Sequence, residues 1–294
     1  MTVPEVKNLN TGQAATETGG WKTARFLLPV RSGAPLLMGV LNVTPDSFSD
    51  GGRYHTVGSA LEQARRLLDE GADILDVGAE STRPGAQAVS ADEEWRRLEP
   101  ILRELRQWQV PISLDTMKSD VMARGIAVGV DILNDVSGFQ DEQACAVLRG
   151  SDAGGVIMHM QGQPRTMQTA PVYVDVQSEV REFLQQRLTH LQSLGVASDR
   201  LLIDPGFGFG KTLDHNLTLF RGIAQFATMG AGVLVGVSRK SMIGQLLGRP
   251  DPAQRVYGSV AAAVKAAASG AQVLRVHDVQ ATRDALKIWQ ALSD

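Results

Sequence analysis

The chain has 294 residues, 43% hydrophobic and 21% charged, the composition of a folded globular protein and not of a disordered one. A formal net charge of -3 provides no field to draw in nucleic acid or an anionic membrane, so any basic group that meets a substrate has to be placed locally. The single cysteine, Cys145, excludes an internal disulfide, and no apolar run is long enough to span a bilayer.

Residues 1–20 carry little apolar mass and read as a flexible lead-in to one domain over 21–294. They lack the apolar core of a secretion signal, so the expected compartment is the cytoplasm. An apolar ribbon, Arg25-Phe26-Leu27-Leu28-Pro29-Val30, leads to a turn at Ser32-Gly33 and predicts a short hairpin closing the bottom of the domain. Short apolar runs then recur at 35–41, 74–77, 112–114, 132–133, 155–158, 201–203, 233–237 and 273–276. They are apolar on both faces and do not alternate, as strands buried on both sides of a parallel sheet do. Helical patterns lie between them at 59–70, 92–107, 121–128, 143–149, 174–194, 258–270 and 278–292. Gly71, Gly129, Gly195 and Gly270 stop four of these helices. Cys145 falls inside 143–149 and reads as core packing. Eight strand–helix units without a linker predict an α/β fold, a (β/α)8 TIM barrel, with an open doubly wound sheet as the alternative.

A barrel presents its chemistry at the carboxyl ends of its strands, and the unusual residues stand there. Asn42 is the first residue past the first run, where an amide oxygen can face a metal or a phosphate. After the second run come Thr82-Arg83-Pro84, a hydroxyl beside a guanidinium in a Gly/Pro loop, which suits an anion. The third and fourth runs end in Asp115 and Asn134-Asp135, the sixth in Asp204. One carboxylate at a strand end usually caps a helix; several around one mouth form a pocket for a polar heterocycle. The seventh run ends in Ser238-Arg239-Lys240-Ser241. Arg275 and His277, two positions apart on the eighth, point the same way and make a basic pair for an anion.

Gly210-Lys211-Thr212 imitates the end of a nucleotide-binding loop, but that motif needs a glycine where Pro205 stands. Five histidines without ligand spacing and one cysteine speak against zinc, while a hard, oxygen-bound Mg2+ shared with a substrate phosphate stays open.

Taken together, the stretches 38–52, 76–85, 158–161, 204–211, 238–241 and 275–277 resemble the bacterial dihydropteroate synthases, a family of pterin-binding barrels. They include Asn42-Val43-Thr44-Pro45-Asp46-Ser47-Phe48, Glu80-Ser81-Thr82-Arg83-Pro84, Asp204-Pro205-Gly206-Phe207-Gly208-Phe209-Gly210-Lys211 and Arg275-Val276-His277. The resemblance runs from about residue 35 to the C-terminus. It implies a transferase of folate biosynthesis, a sulfonamide target, that condenses 6-hydroxymethyl-7,8-dihydropterin diphosphate with p-aminobenzoate to 7,8-dihydropteroate and diphosphate. It places the pterin against Asp115, Asn134, Asp204 and Lys240, with Met158 packing nearby. Asn42, Arg275 and His277 would meet the diphosphate, with Mg2+ beside Asn42, and Phe209 and Ser241 would border the aminobenzoate. Thr82, Arg83 and Pro84 would belong to a mobile loop that joins the site. Among these, Asp115, Asp204, Lys240, Arg275 and His277 are the expected catalytic set, acting through a pterin-methyl cation. The family implies a homodimer, for which the small-residue helix 258–270 offers a face. A corrinoid-type pterin methyltransferase and a binding-only paralogue are the alternatives; neither needs the grip of Asn42, Thr82, Arg83, Arg275 and His277 on a diphosphate.

Overall fold

Each apolar run becomes a strand of one parallel sheet. A computed structural model describes residues 20–43, 53–81, 88–163 and 166–293. The expected lead-in before residue 20, the loop 44–52, and Thr82, Arg83 and Pro84 lie outside the described residues. The strands are β1 (Trp21–Lys22), β2 (Leu27–Leu28), β3 (Leu36–Asn42), β4 (Ile74–Gly78), β5 (Ile112–Asp115), β6 (Ile132–Asp135), β7 (Gly154–Met158), β8 (Leu201–Asp204), β9 (Leu234–Val235) and β10 (Val273–Val276). The eight strands β3 to β10 pair in the order β8-β7-β6-β5-β4-β3-β10-β9, every pairing parallel. The two end strands meet through the bridge Ile203–Val233 and the bond from Ile203 N to Gly232 O at 3.0 Å, which closes the ring. This contact decides for the barrel and against an open doubly wound sheet, whose edge strands never meet.

Helices return the chain from each strand to the next: α1 (Arg53–Asp69), α2 (Ala91–Leu105), α3 (Ser119–Val128), α4 (Glu142–Arg149), α5 (Val176–Ser193), α6 (Leu213–Arg221), α7 (Ser241–Leu247), α8 (Val256–Ala268) and α9 (Val279–Ala291). The four predicted helix stops are left-handed, with φ between 94° and 99° at Gly71, Gly129, Gly195 and Gly270, a conformation that costs glycine nothing. One helix, α6, was not expected; it is short and starts on a capping box between Thr212 and His215. Among the described residues, no helix is long and apolar enough to cross a membrane.

The N-terminal hairpin exists, but its turn is elsewhere. Trp21 pairs with Leu28 and Lys22 with Leu27, so the chain reverses within 23–26, while Ser32-Gly33 makes only the small bridge Arg31–Ala34. The early reversal is held by Thr23 N donating to Phe26 O at 2.9 Å and by Arg25, which grips Asp131 through two bonds of 2.7 and 2.6 Å. Asp131 also accepts from Ile112 N at 2.9 Å, so the hairpin is tied to the feet of β5 and β6. Trp21, fully buried, donates its indole N–H to Arg200 O at 3.1 Å and packs with Leu36, Met38, Ile74, Ile132, Val156, Leu202, Leu234 and Val273. These side chains fill the barrel from below, as expected of a packed core and not a pore.

Strand parity then decides what lies above that floor. Leu75, Val77, Leu114, Leu133, Ile157, Ile203 and Leu274 face outward into the helix layer. The residues between them face the axis: Asp76 on β4, Asp115 on β5, Asn134 on β6, Met158 on β7, Asp204 on β8 and Arg275 on β10. A period of two therefore puts an apolar layer low in the barrel and a polar one at its mouth.

Candidate active site

The polar layer is organised around Arg275. Its Nε donates to Asp76 Oδ2 at 2.6 Å and its Nη2 to Asp115 Oδ2 at 2.7 Å, so one guanidinium bridges carboxylates from two neighbouring strands. The planar fork of arginine fits this two-sided arrangement where a lysine would not. Asn134 Nδ2 adds contacts of 3.3 and 3.4 Å to the Asp76 carboxylate. Asp76 is fully buried, Asn134 nearly so, and Asp115 borders the opening. Burial pushes the Asp115 carboxyl up to about 7; Arg275 pulls it down and Asp76 pushes it further up. Burial works against the Arg275 charge as well, yet Asp76 and Asp115 together hold its pKa above the ordinary value.

On the other side of the mouth, Asp204 Oδ1 accepts from Gly206 N at 2.7 Å. Burial raises its pKa, against the pull of Lys240. Lys240 donates its ammonium to Phe207 O and lies 4.6 Å from the centre of the Phe209 ring, a cation–π contact. Loss of water around the ammonium brings Lys240 down to about 8, with Asp204 pulling upward. Gly236 faces the gap between Arg275 and Asp204, and the atoms nearest its missing Cβ are those two side chains at 3.7 to 4.0 Å. Met158 forms an apolar wall with Val136, Met160 and Met167, against which Phe209 packs. Local strain aims Lys240 inward: Arg239 before it has φ of 58°, held by an ion pair with Asp278 and by Ser259 Oγ at 2.9 Å from its N–H.

The expected residues thus fall into three groups. Asp115, Asn134, Met158, Asp204, Phe209, Lys240 and Arg275 line one mouth. His277 stands just past β10, its Nδ1 3.1 Å from Ser238 Oγ, on the same rim as Arg275. Asn42 is exposed at the end of β3 and Ser241 is exposed at the start of α7, so both border the opening instead of filling it. Asp135, which shares a strand end with Asn134, faces away and accepts from Ser137 N and Phe139 N at 2.8 and 2.7 Å, the loop-capping role usual for a lone carboxylate. Asp76 was missed by sequence reasoning. It lies one pair short of the strand end, inside a run that reads as apolar, and its partner is 199 residues away. The signal was there in parity, because Asp76 is the one charged residue at an inward position of β4.

Mg2+ would need oxygen ligands. Among the described residues, one set of clustered potential ligands appears, Glu142, Cys145 and His190 on α4 and α5, a mixed set unlike that preference. At the mouth, the amide of Asn42 offers one oxygen, which suits a Mg2+ that arrives with ligands of its own.

A family model described as "Pterin binding enzyme" matches residues 38–277, which take in seven barrel strands whole, β3 from Met38 on, and every residue of this mouth. The chain belongs to the pterin-binding enzyme family. Its relatives include several dihydropteroate synthases. The one from Neisseria meningitidis serogroup C is 52% identical over 92% of this chain and 97% of its own. The one from Escherichia coli K12 is 45% identical over 87% and 91%. Among solved structures, Burkholderia cenocepacia dihydropteroate synthase complexed with 7,8-dihydropteroate superposes with a TM-score of 0.85 at 43% identity, covering 94% of this chain and 96% of that one. At these identities over nearly full lengths, the chain is a dihydropteroate synthase-type transferase with the (β/α)8 fold expected of it.

Proposed function

We propose that this chain condenses 6-hydroxymethyl-7,8-dihydropterin diphosphate with p-aminobenzoate. The observation that carries the proposal is the mouth itself: a hydrogen-bonding floor of Asp115, Asn134 and Asp204 beside the basic rim of Arg275 and His277. A pterin ring presents amide and amine N–H groups that carboxylates accept, and a carbonyl and ring nitrogens that Asn134 and Lys240 can meet. In the reaction the methylene C–O bond breaks, diphosphate leaves with the electron pair, and the arylamine nitrogen forms the new C–N bond and sheds a proton. An arylamine is a poor nucleophile, so rate comes from making the methylene electrophilic. Asp204 and Asp115 beside the ring favour positive charge on it, while Arg275 and His277 meet the charge that grows on the leaving oxygen. Arg275 spends Nε and Nη2 on Asp76 and Asp115; its Nη1 edge is the part left to face an anion. Thr82 and Arg83 would add to this grip from their loop. Phe209 supplies the apolar wall for the arylamine, Met158 behind it packs beside the pterin, and Ser241 borders the aminobenzoate carboxylate.

Asn42 would hold Mg2+ together with the substrate diphosphate; when bound, the ion neutralises charge on the leaving group. We further propose a cytoplasmic homodimer, supported by Leu246, Leu247 and Tyr257 exposed on α7 and α8; a monomer on sedimentation would overturn it. The function is tested by release of diphosphate with both substrates and Mg2+ present. Turnover that does not depend on the arylamine, or none at all, would sink the reading.

The two shifted groups give the proposal a pH signature. In the free enzyme, kcat/KM for the pterin substrate is expected to fall on the acid side of about pH 7, where Asp115 gains a proton and loses its charge and part of its acceptor capacity. It should fall again on the alkaline side of about pH 8, where Lys240 loses its charge. Asp115→Asn is expected to remove the acid limb and keep the alkaline one. A profile of unchanged shape in that variant would remove Asp115 from the titrating set.

A further inference from the structure

The loop 205–211 that carries Phe209 has three left-handed glycines, Gly206, Gly208 and Gly210, with φ of 70°, 80° and 61°. This alternation turns its carbonyls in several directions, and every one from Gly206 to Gly210 is met by a side chain. Lys211 takes Gly206 O at 2.9 Å and Phe209 O at 3.0 Å. Lys240 takes Phe207 O, Gln168 takes Gly208 O, and Tyr173 takes Gly210 O at 2.8 Å. Asn216 Oδ1 accepts from Gly208 N at 2.7 Å. Lys211 alone holds two of these carbonyls, and its third N–H points to His159 Nδ1 at 2.9 Å. Its nitrogen is buried, which pushes its pKa well below the ordinary lysine value, and His159 O at 3.4 Å is a fourth acceptor facing it. His159, on the next residue after β7, is buried between Phe183 and Tyr173, with ring centres at 5.0 and 6.1 Å. Burial first, and then the neighbouring Lys211, push it down to about 2, so the ring is neutral, and opposite the N–H groups of Lys211 the tautomer with Nδ1 as acceptor fits. The cage has no slack, because a Cβ at Gly206 would sit 1.8 Å from His159 O.

We infer that Lys211, locked by His159, is a positioning residue for the aminobenzoate side of the site. It touches neither substrate in this reading; it sets where the Phe209 ring stands. The inference rests on the proposed function, since it assumes that Phe209 faces the arylamine. It also explains why Gly210-Lys211-Thr212 imitates a phosphate loop without being one: the lysine is turned back into its own loop, and Thr212 caps α6. On the pterin side Asp115 and Asn134 stand on other strands, while Asp204 and Lys240 also bond to this loop through Gly206 N and Phe207 O.

The test separates the hydrogen bond from the packing at His159. Asn places its amide oxygen on the same Cγ that bears Nδ1, keeping the acceptor and losing the ring. Phe keeps the ring and loses the acceptor. Steady-state KM for p-aminobenzoate is expected to rise about tenfold or more in Lys211→Met, because small displacements of a substrate wall are costly. It should rise about two- to tenfold in His159→Phe and stay within about twofold of the parent in His159→Asn, the scale of one neutral hydrogen bond. Calorimetric Kd for the pterin should rise clearly less than KM for p-aminobenzoate in Lys211→Met and His159→Phe, because Asp115 and Asn134 hold the ring from other strands. The reverse order of the two His159 variants would show a packing role and overturn the inference. So would equal losses on the pterin and aminobenzoate sides, which mark general loosening. A parent protein without turnover would instead overturn the synthase reading beneath it.

Discussion

Arg275→Ala is expected to lose about 1000-fold or more in turnover of the pterin diphosphate, the size of effect seen when a donor to developing charge is removed. The variant should fold, with a second cost besides the kinetic one. Asp76 and Asp115 both lean on this guanidinium, and the Asp76 side chain is wholly excluded from solvent. Removing one partner of a buried ion pair and leaving the other costs about 3–5 kcal/mol, against the modest net worth of the intact pair. Arg275→Met with Asp76→Asn should therefore recover much of the stability and none of the turnover. Urea unfolding and initial rates on the two variants separate these effects. Near-parent kcat/KM in Arg275→Ala would end the assignment of the leaving-group grip to this residue.

Asp204→Asn should weaken binding of the pterin alone by about 10- to 100-fold, the worth of one or two hydrogen bonds to a charged acceptor. The change is isosteric, so Oδ1 can still accept from Gly206 N and the head of the 205–211 loop stays in place. What is lost is the negative charge facing Lys240 and the ring, together with half the acceptor capacity. Titration calorimetry with the pterin reads this directly, without a second substrate or a chemical step. Unchanged affinity would take Asp204 out of the pocket. A loss of aminobenzoate binding at normal pterin affinity would show that the loop, and not the ring, depends on it.

Much of this site was legible because strand ends are local features. Asp115, Asn134 and Asp204 each close an apolar run, and a residue there in a parallel barrel has only the mouth to face. Arg275 and His277 announced themselves by their spacing, and Lys240 by the cluster of polar residues after the seventh run. Three things stayed hidden. Asp76 stands among apolar neighbours, and its value comes from Arg275 at the far end of the chain. The turn of the N-terminal hairpin depends on Arg25 reaching Asp131, 106 residues away. Lys211 reads as surface or nucleotide chemistry until the fold brings His159 to it from 52 residues upstream.

By itself, then, the sequence determined the eight strand–helix units, their parallel sense and the polar residues that end them. Periodicity and breakers act over a few residues, and a barrel follows once every strand is apolar on both faces. The tertiary structure decided the pairings: which carboxylates share Arg275, which carbonyls hold Lys211, and which polar residue at a strand end turns away, as Asp135 does. Those choices depend on closure of the ring, which sets strand register and puts residues more than 150 positions apart within 3 Å. Ion pairs and buried hydrogen bonds are short-range in space and indifferent to distance along the chain, so only the closed barrel could choose among them.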